Sequence, residues 1–223
     1  MSKKIDFDQY SDEYENILEK QLNFFSSDRN FFSKHKANIV SCLVSRPKSI
    51  LDFGCGVGLN LPSLINEFPF SDIFASDTSI KSLELAKNIP GVTVIGNSDL
   101  DEFTFDLIFL SGVIHHVELN ERKHLLVRLE KLLSPGGNIV IFEHNPFNPM
   151  TRYLVSTCPF DEDAVLLSLS MMNQLFGSST GLEFIEHGYC LLFPPKLRML
   201  VKYEPLFKHF PLGGQYYVHY RKV

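Results

Sequence analysis

From Ser49 to Glu143 the chain alternates short apolar runs with amphipathic stretches, and that alternation limits its fold more than any other feature. Ile50-Leu51-Asp52-Phe53, Asp72 to Ser76, Val92 to Ile95, Phe105 to Leu110 and Asn138 to Glu143 have the length and content of buried strands. Between them, Leu59 to Phe68 and Ile80 to Ile89 read as helices, and Leu125, Leu126, Leu129, Leu132 and Leu133 share one helical face ahead of a Ser134-Pro135-Gly136-Gly137 turn. Strands apolar on both faces and joined by helices belong in a parallel sheet covered on each side. Leu182 to Leu192 and Gln215 to Tyr220 add two more strands. The expectation is an α/β fold, a seven-stranded and mostly parallel sheet with helices on both faces.

One domain is expected from the length of 223 residues. Residues 1–46 carry apolar residues at helical spacing over Asp12 to Phe25 and Asn30 to Ser45, so an N-terminal helical cap should precede the central core of residues 47–143. Past Glu143, in residues 144–223, the regularity ends. His144-Asn145-Pro146-Phe147-Asn148-Pro149 reads as a loop at a strand's carboxyl end because of its two prolines. A helix follows over Ala164 to Phe176, then a Pro194-Pro195 break and a helical stretch to about Phe210.

A net charge of -5 argues against a broad basic footprint for nucleic acid. Cys42, Cys55, Cys158 and Cys190 are widely spaced with no C-x-x-C pair, which indicates reduced thiols, no disulfide framework and no zinc site. No metal is expected. With neither an apolar leader nor an 18-residue apolar run, the expected location is cytoplasmic.

The decisive segment is Asp52-Phe53-Gly54-Cys55-Gly56-Val57-Gly58, at the end of an apolar strand and before a helix. Glycines let a ligand approach the backbone, and the following helix N-terminus offers N–H groups to an anion. A dinucleotide loop needs G-x-G-x-x-G, but counting from Gly54 or Gly56 the third place falls on Leu59 or Leu61. Asp77 closes the second strand, where a carboxylate can accept two ribose hydroxyls.

This series resembles the class I S-adenosylmethionine (SAM)-dependent methyltransferases, whose fold is Rossmann-like. The likeness covers residues 50–143 and includes Gly96-Asn97-Ser98-Asp99, Phe105 to Ser111 and Leu132 to Gly137. It implies SAM as cofactor and S-adenosylhomocysteine (SAH) as product. Donor contacts are implied at Asp52, Gly54, Cys55, Gly56, Gly58, Asp77, Thr78 and Ser111, with Asn97, Ser98 and Asp99 as alternatives for adenine. The segment from Phe7 to Tyr14 and Val113-Ile114-His115-His116-Val117 resemble the small-molecule branch that includes ubiquinone and menaquinone biosynthesis enzymes, which implies a donor lid carrying Tyr10 and Tyr14. Residues 142–149, Cys158-Pro159-Phe160-Asp161 and residues 211–217 also resemble uncharacterised bacterial methyltransferases, some associated with cell-surface polysaccharide genes.

Methyl transfer from a sulfonium needs alignment first, and a general base only when the acceptor must lose a proton. His144, His115, His116 and Glu143 lie at strand ends where such a base would sit, with His144 favoured and His115 next. The motif of enzymes that methylate nucleic-acid base amines is replaced by Ser111-Gly112-Val113-Ile114, and the Pro-Cys nucleophile of cytosine-C5 enzymes appears reversed as Cys158-Pro159. A small-molecule acceptor is expected, apolar or amphiphilic, of isoprenoid, lipid-linked or glycolipid kind, since residues 145–223 interleave aromatics with Arg152, Lys196, Arg198, Lys202 and Lys208. Peripheral lipid contact through that region is part of the expectation. A nicotinamide-dependent oxidoreductase and a silent donor-binding protein stay open as alternatives.

Overall fold

The computed structural model describes residues 30–177 and 181–223. The first expected helix, with Tyr10 and Tyr14, lies outside them. Helix α1 (Phe31–Leu43) leads into strand β1 (Ser49–Phe53), helix α2 (Leu61–Glu67), strand β2 (Asp72–Ser76), helix α3 (Ile80–Ala86) and strand β3 (Val92–Val94). Strand β4 (Phe105–Ser111), helix α4 (Arg122–Leu132) and strand β5 (Leu133–His144) complete the regular part. Helices α5 (Pro149–Thr157) and α6 (Leu169–Phe176), strand β6 (Leu182–Cys190), a 3-10 segment (Pro195–Phe207) and strand β7 (Gln215–Lys222) follow.

The seven strands form one sheet in the order β3-β2-β1-β4-β5-β7-β6. Strands β1 to β5 pair in parallel, while β7 runs antiparallel to both β5 and β6. The strand order reverses between β1 and β4, and in an open α/β sheet a crevice forms outside the carboxyl ends at that point.

The sheet separates two cores by strict alternation. Ile50, Leu107, Phe109, Val140 and Phe142 face α1, α2 and α3 and pack with Ala37, Val40, Leu61 and Leu64. Leu51, Ile108, Leu110, Ile139 and Ile141 face the other way, onto Leu126, Leu129 and Leu132 of α4 and Met172 and Phe176 of α6.

Several expected boundaries move. The Ser134–Gly137 turn is drawn into β5, because Leu133 pairs with Phe105 and the ladder shifts register before Leu107 meets Asn138. The expected loop through Pro149 ends in α5, where Asn148 caps the helix by accepting from the Thr151 amide and Pro149 takes the first helical position. The helix expected from Ala164 begins only at Leu169, capped by Ser168. The stretch toward Phe210 is a 3-10 segment, with Pro205 inside it and a non-helical Leu197.

Candidate active site

The carboxyl ends of β1, β2, β4 and β5 open onto a cavity of about 1160 Å³, whose walls also include α1, α5 and the chain after β6. Its floor is the glycine loop. Gly54 and Cys55 donate their amides to the Ser76 carbonyl at the end of β2, at 2.8 and 3.1 Å. The Gly56 amide donates to Asp77 Oδ2 at 2.8 Å, and Asp77 Oδ1 accepts from the Ser79 amide at 2.8 Å. Loop and acidic residue are thus one unit, although they are 21 positions apart.

The glycines serve different ends. Gly56 has φ +53° and a Cβ there would meet nothing within 4 Å, so its missing side chain leaves open room in the cavity wall. At Gly58, with φ +89°, a Cβ would fall 2.6 Å from Ile89 Cδ1 and 2.9 Å from Leu61 Cδ1. Gly58 therefore lets α2 and α3 close on the loop, and it does not line the cavity. The helix end after the loop differs from the sequence expectation as well. The Leu61 amide donates to the Gly58 carbonyl, those of Ser63 and Leu64 donate to the Asn60 carbonyl, and Pro62 has no N–H, so the first turn of α2 has little left to offer an anion.

A cation stands nearby instead. Lys36, buried on α1, donates to Ser111 Oγ at 2.6 Å and lines the cavity. Burial brings its ammonium down to about 8, against the pull of Cys190, Asp52 and Glu143. Asp52 is fully buried behind the loop, with no hydrogen-bond partner for either carboxylate oxygen among the described residues. Burial raises it to about 7, only partly offset by Lys36. Cys55 is buried, and desolvation pushes its thiol far up, away from the reactive thiolate.

At the β3 end, Asn97 lines the cavity while Ser98 and Asp99 do not. Arg128 of α4 clamps Asn97 through its side-chain and main-chain oxygens, both at 2.7 Å, and reaches Asp101 at 2.7 Å. Ser98 Oγ is occupied with Asp99 Oδ1. Thr78 and Ser111 are wall residues.

The four expected base candidates separate clearly. Glu143 is wholly buried and outside the cavity lining; its Oε1 accepts from the Val113 and Ile114 amides at 3.2 and 2.7 Å, and its Oε2 meets His115 Nδ1 at 2.6 Å. Burial would raise Glu143, but the His115 charge and the Ile114 amide outweigh it and hold the carboxyl at about 2. Burial likewise opposes charge on His115, yet Glu143 and Asp161 lift it to about 10. His115 is therefore held between two carboxylates. His116 faces Asp161, with Nε2 at 3.3 Å from Oδ1. His144 lines the cavity with its ring 5.1 Å from that of His115, and burial followed by the His115 charge lowers it to about 4. It is the neutral imidazole of the group. Lys36, Arg128 and Asp161 are cavity residues that the sequence reading did not single out, and no local spacing marks them.

Comparison with known proteins fits this geometry. Residues 51–139 match the family model described as a methyltransferase domain. The structure resembles a TehB-like SAM-dependent methyltransferase from Corynebacterium glutamicum with a TM-score of 0.63 at 18% identity, over 96% of this chain and 98% of that one. It also resembles the plantazolicin methyltransferase BpumL, solved in complex with SAH, with a TM-score of 0.64 at 18% identity, over 97% of this chain and 93% of that one. The chain has the class I methyltransferase fold.

Among curated proteins, trans-aconitate 2-methyltransferase of Pseudomonas aeruginosa is 30% identical over 95 residues, 41% of this chain and 34% of that protein. An uncharacterized methyltransferase of Alkaliphilus oremlandii is 27% identical over 146 residues, 60% of this chain and 64% of that one. The first of these alignments spans only about a third of the curated relative's length. No helix among the described residues is long and apolar enough to cross a membrane.

Proposed function

We propose that this protein is a SAM-dependent methyltransferase acting on a small molecule. The observation that carries the proposal is the buried, unpartnered carboxylate of Asp52 behind a glycine loop whose wall lies open at Gly56. A buried carboxylate without a partner is costly, and a donor bearing an ammonium, a carboxylate and a ribose diol fits what surrounds it. Asp52 supplies negative charge for the ammonium, Lys36 positive charge for the carboxylate, and Asp77 stands at the end of β2 for the diol. When bound, the donor supplies an activated methyl group, so the protein's task is alignment and exclusion of water. The α2 end is occupied by its own turn, which is a poor match to the pyrophosphate grip of a nicotinamide enzyme.

The acceptor side combines Met150, Leu154, Leu192 and Phe193 with Thr151 and Gln215. Of the basic residues in the wall, Arg128 is committed to Asn97 and Asp101, Lys36 is assigned to the donor, and His115 and His116 face Asp161, which leaves His144 and the exposed His124 to meet an acceptor. That lining suits an apolar or amphiphilic acceptor with one hydroxyl or amine better than a polycarboxylate such as the one named for the Pseudomonas relative. His144 is the group we assign to receive the acceptor's proton; its low affinity for protons keeps it free at neutral pH, and the step relies on transfer coupled to methyl movement. An isoprenoid or glycolipid acceptor, as in the quinone-biosynthesis branch, belongs to the same reading. Exposed Met199, Leu206, Phe210 and Leu212, among Arg198, Lys202 and Lys208, support transient contact with a lipid surface.

The test is an assay of metabolite extract with isotopically labelled methyl donor, followed by solvent partition. Label recovered in an organic-soluble product, and lost with His144→Ala, is the expected result. Label confined to water-soluble polycarboxylates would overturn the acceptor assignment.

A further inference from the structure

His115 and His116 sit on the 3-10 turn after β4, and Asp161 comes from another 3-10 turn 45 positions further along, after α5. The fold brings the three together at the cavity wall, where all of them are lining residues. Each offers one ligand atom, and these atoms lie within 4.8 Å of one another. His115 Nε2 is 3.5 Å and His116 Nε2 3.3 Å from the same oxygen, Asp161 Oδ1. Those separations are long for charge-assisted hydrogen bonds, which run about 2.7–2.9 Å. They match the edge of a coordination tetrahedron, about 3.3–3.4 Å for metal–ligand bonds of about 2.0–2.1 Å.

The surroundings are those of a ligating histidine. Glu143 Oε2 lies 2.6 Å from His115 Nδ1, and that oxygen's partner atom is itself fixed by two main-chain amides. A carboxylate behind a ligating imidazole sets its tautomer and aims Nε2 at the metal. Behind His116, Asp163 Oδ1 lies 3.7 Å from Nδ1. Side chains of His116 and Asp161 are 17% and 13% exposed, so the cluster is sheltered yet reachable from the cavity.

We infer that His115 Nε2, His116 Nε2 and Asp161 form a three-ligand site for a divalent transition-metal ion of the zinc class, with its open position toward the cavity. Two imidazoles and one carboxylate suit borderline ions such as Zn²⁺ and Co²⁺ better than the all-oxygen preference of Mg²⁺ or Ca²⁺. Three protein ligands with a vacancy are the arrangement of zinc sites that engage substrate. The ion would coordinate an oxygen of the acceptor beside His144; this last clause rests on the methyltransferase reading, whereas the site itself does not. Sequence spacing is silent about this site because His116 and Asp161 lie 45 positions apart.

The experiment uses tag-free full-length protein, stripped with chelator and titrated with Co²⁺, then with Zn²⁺. One equivalent of Co²⁺ per chain should bind with the strong visible absorption of a low-coordinate ion, and Zn²⁺ should displace it. Asp161→Asn and His116→Gln should each weaken uptake by at least about 100-fold, and Glu143→Gln by about 10–100-fold. SAH titrated into the same samples should bind the Asp161 and His116 variants as it binds the unaltered protein, which also reports that they are folded. No stoichiometric uptake by the unaltered protein, or undiminished uptake in whichever of the two variants remains folded, would overturn the site. SAH failing to bind while Co²⁺ binds would remove the methyltransferase reading and leave the metal site standing.

Discussion

The two halves of the cavity are built by different means. The half to which we assign the donor is local: a loop of five residues from Gly54 to Gly58, tied to the end of the neighbouring strand through Ser76 and Asp77. The half to which we assign the acceptor is assembled over long stretches of chain. Glu204, nearly buried on the 3-10 segment, accepts from the Leu191 and Leu192 amides at 2.9 and 3.1 Å and meets His35 Nε2 of α1 at 2.7 Å, across 169 positions. Leu191 is held there with φ +58°, a conformation that persists only where its surroundings enforce it. Asn145 Nδ2 donates to the Pro211 and Gly213 carbonyls, and Thr151 Oγ1 to that of Gly214. One half rests on a short motif at a strand end, the other on buried polar joints between segments far apart in the chain.

That contrast predicts separable damage. The largest effect falls on the donor half: Asp77→Ala loses the joint to Gly56 and Ser79 together with the carboxylate offered to a ribose, so SAH affinity should drop by about 100-fold in calorimetry. A drop below threefold would break the comparison. Next, Gly58→Val forces a side chain onto Ile89 and Leu61 at a positive φ, and should cost about 3 kcal/mol in denaturant unfolding. Gly56→Ala, with open space around it, should cost less stability and more donor affinity.

Glu204→Gln strikes the other half. It keeps the shape but weakens three hydrogen bonds, so stability should fall by about 1–3 kcal/mol and acceptor turnover with it, while SAH affinity stays within about threefold. A variant that lost both ligands equally would show that the halves are one mechanical unit.

The effect with a sign fixed by pH concerns Asp52. Its carboxyl is raised to about 7 in the folded chain from an ordinary value near 4. The folded state therefore holds the proton more tightly than the unfolded one, and the stability this contributes is complete below pH 4 and lost as pH rises through 7. Asp52→Asn abolishes that loss. The variant's stability relative to the unaltered protein should climb between about pH 4 and pH 7, by up to about 4 kcal/mol. A flat difference across that range would mean that Asp52 is not desolvated as the structure has it.

How much of this was legible in the sequence follows the same division. Strands β1 to β5 announce themselves because each is a continuous apolar run, and Asp52, the glycines and Asp77 because their roles depend on near neighbours. Asn148-Pro149 misleads: two prolines in four residues read as a broken chain, yet Asn at the cap and Pro at the first position are how α5 begins. Lys36 is one polar residue on an amphipathic helix until Ser111, 75 positions away, shows where it points. Asp161 and Glu204 are likewise ordinary acids until the fold supplies their partners. Within the cavity, His115 and His144 are of one residue type, and only their neighbours raise the proton affinity of one and lower that of the other.

The loop from Gly54 to Gly58, with Asp52, Lys36 and Asp77 around it, is the proposed seat of a sulfonium nucleoside. Isothermal titration of the purified chain with SAH tests it most directly. The account predicts saturable one-to-one binding in the micromolar range, which Asp77→Ala weakens and Glu204→Gln spares; no heat of binding at millimolar SAH in a folded sample would contradict it.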